Sequence, residues 1–333
     1  MSGLDDVYSQ AGALGLVVDG PLRLDGEWHR VCVVGKGKHN LAGAYCLSEL
    51  RLKSGAAVVV GMLYNWRTRE EVRRTLEGVD NVSLEDMREA SRLAAAAVEK
   101  SKQAKAQLQD ETAARALGIW DKLPDSGASP YLDKKGVRAW GVRFSRGSVV
   151  VPLRDAEGKL WSLQFINADG EKRFLTGGAK RGRFHLIQGV APGGDTPFSV
   201  IGVAEGYATA SSIFEVSNIP VAVAFDAGNL LPVAQALSGV YPNSRIILFA
   251  DDDRHGGYPQ AFIRARDVTD DVRALGERVR RLRPDMAVEF VADDDPRLRD
   301  SERSYNVGVA SAVLAAAAVG GDVVFPSFEG AAA

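Results

Sequence analysis

The second half of the chain contains short apolar runs separated by stretches with a helical pattern. The runs at residues 198–204, 220–225 and 246–249 are almost continuously apolar. Strands of this kind are typical of a parallel sheet whose two faces are covered by helices. We therefore predict an α/β domain at residues 196–328, built on a doubly wound, mainly parallel sheet.

The region before this domain has a different pattern. In residues 1–80, short segments alternate apolar and polar residues between glycines, which predicts a small β-rich N-terminal module. Residues 119–195 contain two strand patterns joined by a turn at residues 155–158. We predict a mixed α+β subdomain there.

Residues 81–118 connect these regions and are rich in alanine, which favours a helix. Ser83 and Asp86, three residues apart, form an approximate capping box at its start. Gly118 is a natural stop for the helix. Because the apolar stripe is narrow, we predict that this helix or helix pair is a spacer.

Acidic residues directly follow two of the apolar runs. Glu205 follows the first run, and Asp251 to Asp253 follow the run at 246–249. Ligands of doubly wound sheets bind outside the carboxyl ends of the strands, so these acids should converge. Three carboxylates suit Mg²⁺ or Mn²⁺, and we predict that Glu205, Asp251 and Asp253 are the metal ligands and catalytic residues.

A second acidic triplet, Asp293 to Asp295, follows another strand pattern at residues 287–292. The pattern alone does not decide whether Asp293 and Asp295 complete the metal site instead. We favour Asp251 and Asp253, because the run at 246–249 leads directly into them. The second triplet would then only add negative potential.

The pairing of strand-Glu-Gly with strand-Asp-x-Asp resembles the Toprim domain of bacterial replicative primases, topoisomerases and some nucleases. Three segments are more closely similar to the Toprim primases of plasmids and phages: Ala204-Glu-Gly-Tyr-Ala-Thr-Ala, Val223-Ala-Phe-Asp-Ala-Gly-Asn-Leu and Phe249-Ala-Asp-Asp-Asp. The resemblance covers roughly residues 128–328. It implies template-directed synthesis of short RNA primers on single-stranded DNA from ribonucleoside triphosphates, and it leaves open a partnership with a separate replicative helicase.

Positive charge is concentrated just before the predicted sheet. Residues 134–183 contain twelve Lys and Arg against four Asp and Glu, whereas the whole chain has a net charge of −2. The region resembles the basic subdomain that accompanies Toprim in primases, and a basic surface fits a polyanionic substrate. The candidate ligands for template phosphates or a nucleotide triphosphate are Lys135, Arg143, Arg146, Lys172, Arg173, Lys180 and Arg183.

Aromatic and basic residues of the N-terminal module allow two interpretations. They could form a stacking and phosphate-contacting face for single-stranded DNA. Alternatively, the aromatic residues are the core of the module, which we favour slightly. The residues concerned are Trp28, Tyr45, Tyr64 and Trp66, beside Arg30, Lys36, Lys38 and Arg67.

The chain has two cysteines, and a zinc site is the less favoured explanation for them. His29, Cys32, His39 and Cys46 could supply four ligands, but structural zinc sites usually contain more closely spaced cysteine pairs. We expect Cys32 and Cys46 to be packed strand residues. Replicative primases typically begin with a zinc ribbon, so its apparent absence is a departure from them.

The composition is that of a globular protein with two or three domains, with 333 residues, 46% apolar and 25% charged. No apolar run reaches the length of a membrane span, and the start has no basic and apolar leader pattern. We therefore expect a cytoplasmic protein that does not contact membranes.

Two alternatives to a primase remain open. A metal-dependent nuclease would need little more than the acidic edge of the sheet. A non-catalytic DNA-binding accessory protein of replication is suggested by the missing zinc ribbon and by the lack of the acidic Asn-Asp-Leu segment with which the family often continues. The helicase signature Gly-x4-Gly-Lys-Ser/Thr is absent from the sequence.

Overall fold

The computed structural model describes most of the chain. The described residues are 3–35, 41–52, 55, 57–68, 70–76, 82–188, 198–251, 260–264, 287–291 and 306–325, together with a few helical positions between 270 and 281. They divide into two compact units, the first up to residue 106 and the second from residue 107 onward.

The first unit is an antiparallel sheet with a helix on one face. Its five strands are adjacent in chain order: β1 (Leu16–Val17), β2 (His29–Val33), β3 (Gly43–Arg51), β4 (Ala57–Asn65) and β5 (Glu70–Arg74). Helix α1 (Gly3–Ala13) buries Val7 and Ala11 against Leu47 and Leu63 of the sheet. The module is β-rich, as the alternating pattern predicts, but the initial helix is not part of that prediction.

Helix α2 (Leu84–Trp120) begins at the predicted capping box. The backbone N–H of Ser83 donates to Asp86 Oδ2 at 3.0 Å, and the N–H of Asp86 donates to Ser83 Oγ at 3.1 Å. The predicted stop at Gly118 is wrong, because the helix continues to Trp120.

Tertiary packing explains why α2 continues through the glycine. Ala116 and Trp120 are buried against Val150, Leu160 and Leu163. Burying these side chains offsets the cost of about 1 kcal/mol that glycine adds to a helix. Residues 107–120 of α2 therefore belong to the second unit, so the division between the units does not coincide with the predicted end of the spacer.

The second unit contains a four-stranded antiparallel sheet in the order β6-β7-β8-β9. A tight turn in which Asp155 N–H donates to the Lys159 carbonyl at 3.1 Å joins its central strands, as predicted. Helix α3 (Pro130–Lys135) precedes this sheet. The strands are β6 (Arg143–Ser145), β7 (Ser148–Arg154), β8 (Leu160–Ile166) and β9 (Lys172–Phe174).

The second unit also contains the predicted mainly parallel sheet, in the order β10-β12-β11-β13-β16. The strands β12, β11, β13 and β16 are parallel, and β10 is antiparallel to β12. The bounds are β10 (His185–Ile187), β11 (Val200–Ala204), β12 (Val221–Val223), β13 (Arg245–Phe249) and β16 (Asp322–Val324).

Helices cover both faces of this sheet. Helix α4 (Tyr207–Ser217) packs with Ala204 and Val223 on one face. Helices α5 (Leu230–Val240) and α6 (Val307–Ala318) pack with Val203 and Ala222 on the other. Because neighbouring strand residues point to opposite faces, both faces need apolar residues, which explains the continuous apolar runs.

The predicted strand at 287–292 is present as β15 (Ala287–Val291), which forms a separate parallel pair with β14 (Gln260–Arg264). Five positions between residues 270 and 281 are described as helical. Among the described helices, none combines the length and apolar character that a membrane crossing requires.

Candidate active site at the carboxyl ends of the parallel strands

Glu205 and Asp251 lie at the same edge of the parallel sheet. Ala204 of β11 is paired with Phe249 of β13, so Glu205 follows the last paired residue by one position and Asp251 by two. Both are half-buried. The strand register therefore places two of the three predicted metal ligands just after the ends of neighbouring strands.

The third predicted ligand, Asp253, lies outside the described residues, as do Asp293 and Asp295. Within the described part of the chain, no three His, Cys, Asp or Glu side chains are grouped closely enough to hold a metal ion. Glu205 and Asp251 carry carboxylate oxygens, the type of donor that Mg²⁺ and Mn²⁺ prefer.

The position of Asp251 depends on the start of helix α6. A Cβ atom added to Gly308 would lie 2.4 Å from the Asp251 carbonyl oxygen, so the helix approaches this backbone as closely as a glycine allows. Buried Asn306 caps the same helix by accepting a hydrogen bond from Val309 N–H at 3.1 Å. Residues 251 and 308, far apart in the chain, thus lie in close contact.

The position of Glu205 depends on the end of β12. The backbone N–H of Phe225 donates to the Glu205 carbonyl at 2.8 Å. Phe225 has a φ of 74°, a left-handed conformation that is uncommon and strained for a bulky residue. Such conformations persist where surrounding packing holds them, and here Phe225 is buried and contacts Phe174 edge-to-face.

A cavity of about 380 Å³ lies beside this edge, with both acidic and basic walls. Asp251 and the backbone at Gly206 line it, together with Lys135 and Lys172, two of the predicted phosphate ligands. The structure therefore brings predicted basic and acidic residues to one cavity.

Lys134 and Thr209 also line the cavity, although the sequence does not single them out as ligands. Lys134 directly precedes the predicted ligand Lys135, and this proximity is the feature of the sequence that could have identified it. In the structure both lysines lie in the last turn of the short helix α3. Thr209 is part of the Glu-Gly-Tyr-Ala-Thr segment, where the sequence pattern indicates a helical position and no ligand.

Three of the other predicted basic ligands have protein partners. Lys180 forms an ion pair with Asp226, and the Arg183 guanidinium lies 4.6 Å from the centre of the Trp161 ring. Arg173 is paired with Glu171 at 2.9 Å. These three contacts orient the side chains.

Arg143 and Arg146 are not brought to the cavity. Arg143 donates to the Trp120 carbonyl and lies 4.7 Å from the centre of the Trp120 ring, which makes it a packing residue at the end of α2. Arg146 is exposed in the two-residue turn between β6 and β7, with a φ of 48°.

Hydrogen bonds with residues 138–140 hold the first turns of helix α4. The Tyr207 hydroxyl donates to the Arg138 carbonyl at 3.0 Å and accepts from Trp140 N–H at 2.6 Å. Burial raises the pKa of Tyr207 above its ordinary value. Burial would raise the pKa of Glu215 as well, but hydrogen bonds from Arg138 N–H and the Trp140 indole hold it below its ordinary value.

His185 completes this network from strand β10. Its Nε2 lies 2.8 Å from the Trp140 carbonyl, so this nitrogen carries the proton. Burial lowers the pKa of His185 to about 4, and the ring is neutral at neutral pH. It is a structural group rather than an acid or base of the cavity.

In the first unit, the predicted aromatic face separates into two groups. Tyr45 is buried in the core, whereas Trp28 and Trp66 are 47% and 43% exposed. The Arg30 guanidinium lies 4.0 Å from the centre of the Trp66 ring, and Tyr64 contacts the same ring at 5.0 Å. Lys36 and Lys38 lie outside the described residues.

The cysteines and His29 of the first unit have ordinary surroundings. Neither Cys32 nor Cys46 forms a disulfide bond, and Cys46 Sγ donates to the Gly26 carbonyl at 3.1 Å. The His29 ring is paired with Asp25 at 2.8 Å. His39, the remaining residue of the zinc alternative, lies outside the described residues.

Two curated proteins, both DNA primase TraC of Escherichia coli, are similar to the chain. One is 37% identical over 240 residues, which is 70% of this chain and 16% of that protein. The other is 34% identical over 237 residues, or 69% of this chain and 21% of that protein. The chain thus spans about a fifth or less of the length of these relatives.

Solved structures of primase fragments show partial similarity. The DnaG primase catalytic domain bound to single-stranded DNA has a TM-score of 0.31 and 14% identity, covering 58% of this chain and 73% of that one. The primase fragment of the bacteriophage T7 primase-helicase has a TM-score of 0.28 and 16% identity, covering 38% of this chain and 54% of that one.

No family model matches the chain. The resemblance to DNA primases that the motifs predict is nevertheless confirmed as sequence similarity to two DNA primases over about 70% of the chain.

Proposed function

We propose that the second unit is the catalytic part of a Toprim-type DNA primase, which synthesises short RNA primers on single-stranded DNA for plasmid or phage replication. The observation that carries this proposal is the pair Glu205 and Asp251 at adjacent strand ends, beside a cavity lined by lysines. Similarity to two DNA primases supports it. A separate replicative helicase is part of the same proposal as a partner.

In this proposal Glu205, Asp251 and Asp253 hold Mg²⁺ or Mn²⁺. Carboxylate oxygens are the ligands that these ions prefer, and their negative charge offsets that of the cations. When bound, such ions make the attacking 3′-hydroxyl easier to deprotonate and neutralise the departing pyrophosphate. Glu205 serves as a ligand or as the base for the hydroxyl proton.

Lys134, Lys135 and Lys172 bind phosphate groups of the nucleotide or the template. All three are exposed cations on the wall of a cavity of about 380 Å³, within the usual range of ligand sites of roughly 300 to 1,000 Å³. Gly206 contributes backbone without a side chain, so a phosphate can approach closely. The lysines offset the charge of a triphosphate in the same cavity that Asp251 lines.

Primer synthesis on single-stranded DNA with all four ribonucleoside triphosphates and Mg²⁺ tests the proposal. Asp251→Asn removes a ligand charge without changing size, and we expect a loss of at least about 100-fold, because even residues that only support ligands contribute about 10- to 100-fold. The matched control is Asp133→Asn, the same change at an exposed position on α3. Equal primer yields from wild type and Asp251→Asn would refute the assignment.

Two further assays separate the alternatives. A nuclease would cut labelled single- or double-stranded DNA with Mn²⁺ in the absence of nucleotides, whereas a primase should leave it intact. An accessory protein would bind single-stranded DNA, but Mg²⁺ or Mn²⁺ would leave its thermal midpoint unchanged.

A further inference from the structure

Asn229 joins the basic loop at residues 180–183 to the end of strand β12. Its Oδ1 accepts from Gly182 N–H at 2.8 Å, and its Nδ2 donates to the carbonyls of Arg183 at 3.0 Å and Ala224 at 2.8 Å. The side chain is 2% exposed. One buried amide thus connects two backbone segments more than 40 residues apart in the chain.

The loop that Asn229 holds is also restrained from its other side. Arg183 N–H donates to the Lys180 carbonyl at 2.9 Å and closes a turn in which Gly182 has a φ of 70°. The next residue, Phe184, exchanges two backbone hydrogen bonds of 2.9 Å with Arg154 of β7. The amide of Asn229 therefore anchors a second side of this loop, in addition to the hydrogen bonds between Phe184 and Arg154.

Asp226, three residues before Asn229, holds the side chain of Lys180, which belongs to this loop. It forms an ion pair with the Lys180 ammonium, which also lies 5.4 Å from the centre of the Phe174 ring. The Lys180 side chain is 42% exposed, so a ligand can still reach it.

The same turn is joined to the acidic edge of the sheet. Phe225, which precedes Asp226, donates its N–H to the Glu205 carbonyl at 2.8 Å. Asp226 N-caps the short 3₁₀ turn Ala227–Asn229, in which Asn229 N–H donates to the Asp226 carbonyl at 3.1 Å. One ion pair, the peptide bond between Phe225 and Asp226, and one hydrogen bond therefore lead from Lys180 to the backbone of Glu205.

We infer that the turn at residues 226–229 positions Lys180 for a nucleoside triphosphate, with Asn229 fixing the loop backbone and Asp226 orienting the ammonium group. The inference rests on the proposed function and adds Lys180, a basic residue predicted from the sequence to bind phosphate, to the three lysines of the cavity. Asn229 and Asp226 act through Lys180 and are positioning residues, not groups that touch the nucleotide.

A thermodynamic cycle on GTP binding tests this inference. GTP affinity is measured with Mg²⁺ present for wild type, Lys180→Ala, Asn229→Ala, Asp226→Asn and the two double variants that contain Lys180→Ala. We expect Lys180→Ala and Asn229→Ala to lose about tenfold and Asp226→Asn about threefold, and neither second change to lower the affinity further once Lys180 is absent.

Asn65→Ala is the matched control for Asn229→Ala. Asn65 is another buried asparagine that joins two loops, since it donates to the Leu14 carbonyl and accepts from Arg67 N–H. Both variants should lower the thermal midpoint, because each leaves buried backbone groups without partners. Only Asn229→Ala should raise KM for nucleotides, with kcat changed less than about twofold, because only uniform binding is lost.

The outcomes separate the inference from the proposed function. The positioning role would be overturned if the losses of GTP affinity add fully in the double variants. It would also be overturned if Asn229→Ala binds GTP with wild-type affinity. In both cases the proposed function would stand as long as the wild type synthesises primers. If Asp226→Asn tightens GTP binding with or without Lys180, its carboxylate merely repels phosphate and does not orient Lys180. If the wild type makes no primers, the proposed function fails. Faster hydrogen exchange of the Gly182 amide in Asn229→Ala would then still show that Asn229 anchors the loop.

Discussion

Glu205 and Asp251 illustrate how single residues of the site are held by backbone contacts. Glu205 receives a hydrogen bond from a strained Phe225, and Asp251 is packed against Gly308. Neither contact involves the chemistry of the carboxylates themselves. Small changes at these supporting residues should therefore alter the site while the acids remain in place.

Gly308→Ala should weaken the site without removing any ligand. The new Cβ would be 2.4 Å from the Asp251 carbonyl, so one of the two backbones must move. Because a displacement of about 1 Å can cost about 100-fold in rate, we expect at least a tenfold loss of primer synthesis and a higher Mg²⁺ requirement. A Mg²⁺ titration of primer yield measures both.

Gly239→Ala is the control for this change, because nothing lies within 4 Å of its added Cβ in helix α5. It should raise stability by up to about 1 kcal/mol, as alanine is the better helix former. If the two variants have the same Mg²⁺ dependence, the packing of α6 on Asp251 is irrelevant to the site.

His185 should make the protein less stable in mild acid. Its pKa of about 4 in the folded state lies below the ordinary value of 6.5, so the unfolded chain takes up a proton first as the pH falls. Stability is therefore complete above pH 6.5 and is lost between 6.5 and 4. Lowering the pH from 7.5 to 5 should therefore reduce the free energy of unfolding by about 2 kcal/mol through the protonation of this residue.

Urea unfolding at these two pH values measures the effect. The control is His185→Gln, which can still donate to the Trp140 carbonyl but does not titrate. The difference in stability between wild type and the variant should shift by about 2 kcal/mol across this range. A constant difference would mean that burial does not lower the pKa of His185 in the folded protein.

Helix α2 is the element whose role differs most from its sequence pattern. Its alanine-rich middle offers little to pack, yet Ala113, Ala116 and Trp120 near its end are buried in the second unit. Trp120 also contacts the guanidinium groups of Arg143 and Arg154. The last turns of α2 are therefore part of the core, not a spacer.

Ala116→Asp should destabilise the second unit strongly. Ala116 is fully buried, and an unpaired carboxylate there should cost at least about 3 kcal/mol. Ala114→Asp places the same charge on the exposed side of the same turn and should change stability by less than about 0.5 kcal/mol. Thermal unfolding of both variants measures the difference, and equal midpoints would show that this part of α2 is not packed.

Over the whole molecule, charge is distributed unevenly, but the structure reduces the set of basic residues available to a polyanion. Arg143 is used in packing and Arg173 is paired with Glu171. The cavity lysines have no such role in the described contacts. Template affinity should therefore depend on position rather than on total charge.

The salt dependence of single-stranded DNA binding tests this expectation. Replacing all three cavity lysines by glutamine should lower the slope of log affinity against log salt by up to about 2, since each phosphate contact contributes about 0.7. A control variant carries the same charge change at exposed lysines outside the cavity and should keep the wild-type slope. The cavity set is Lys134, Lys135 and Lys172, and the control set is Lys102, Lys105 and Lys122.

Several elements follow from the sequence alone because local physics decides them. The continuous apolar runs predict the parallel strands, since both faces of that sheet are covered. The capping box at Ser83 and the turn at residues 155–158 follow from hydrogen bonds between near neighbours. The positions of Glu205 and Asp251 after neighbouring strand ends can be predicted because each acid lies within two residues of the apolar run that forms its strand.

Tertiary structure alone decided the contacts between distant residues. Helix α2 passes through Gly118 because its last turns pack on β7 and β8, which lie about 30 to 50 residues further along. The link from Asn229 to Gly182 and the packing of Gly308 on Asp251 have no local signature. A sequence pattern reports the burial and polarity of neighbouring positions, whereas these contacts depend on which surfaces meet once the sheet and its helices have packed.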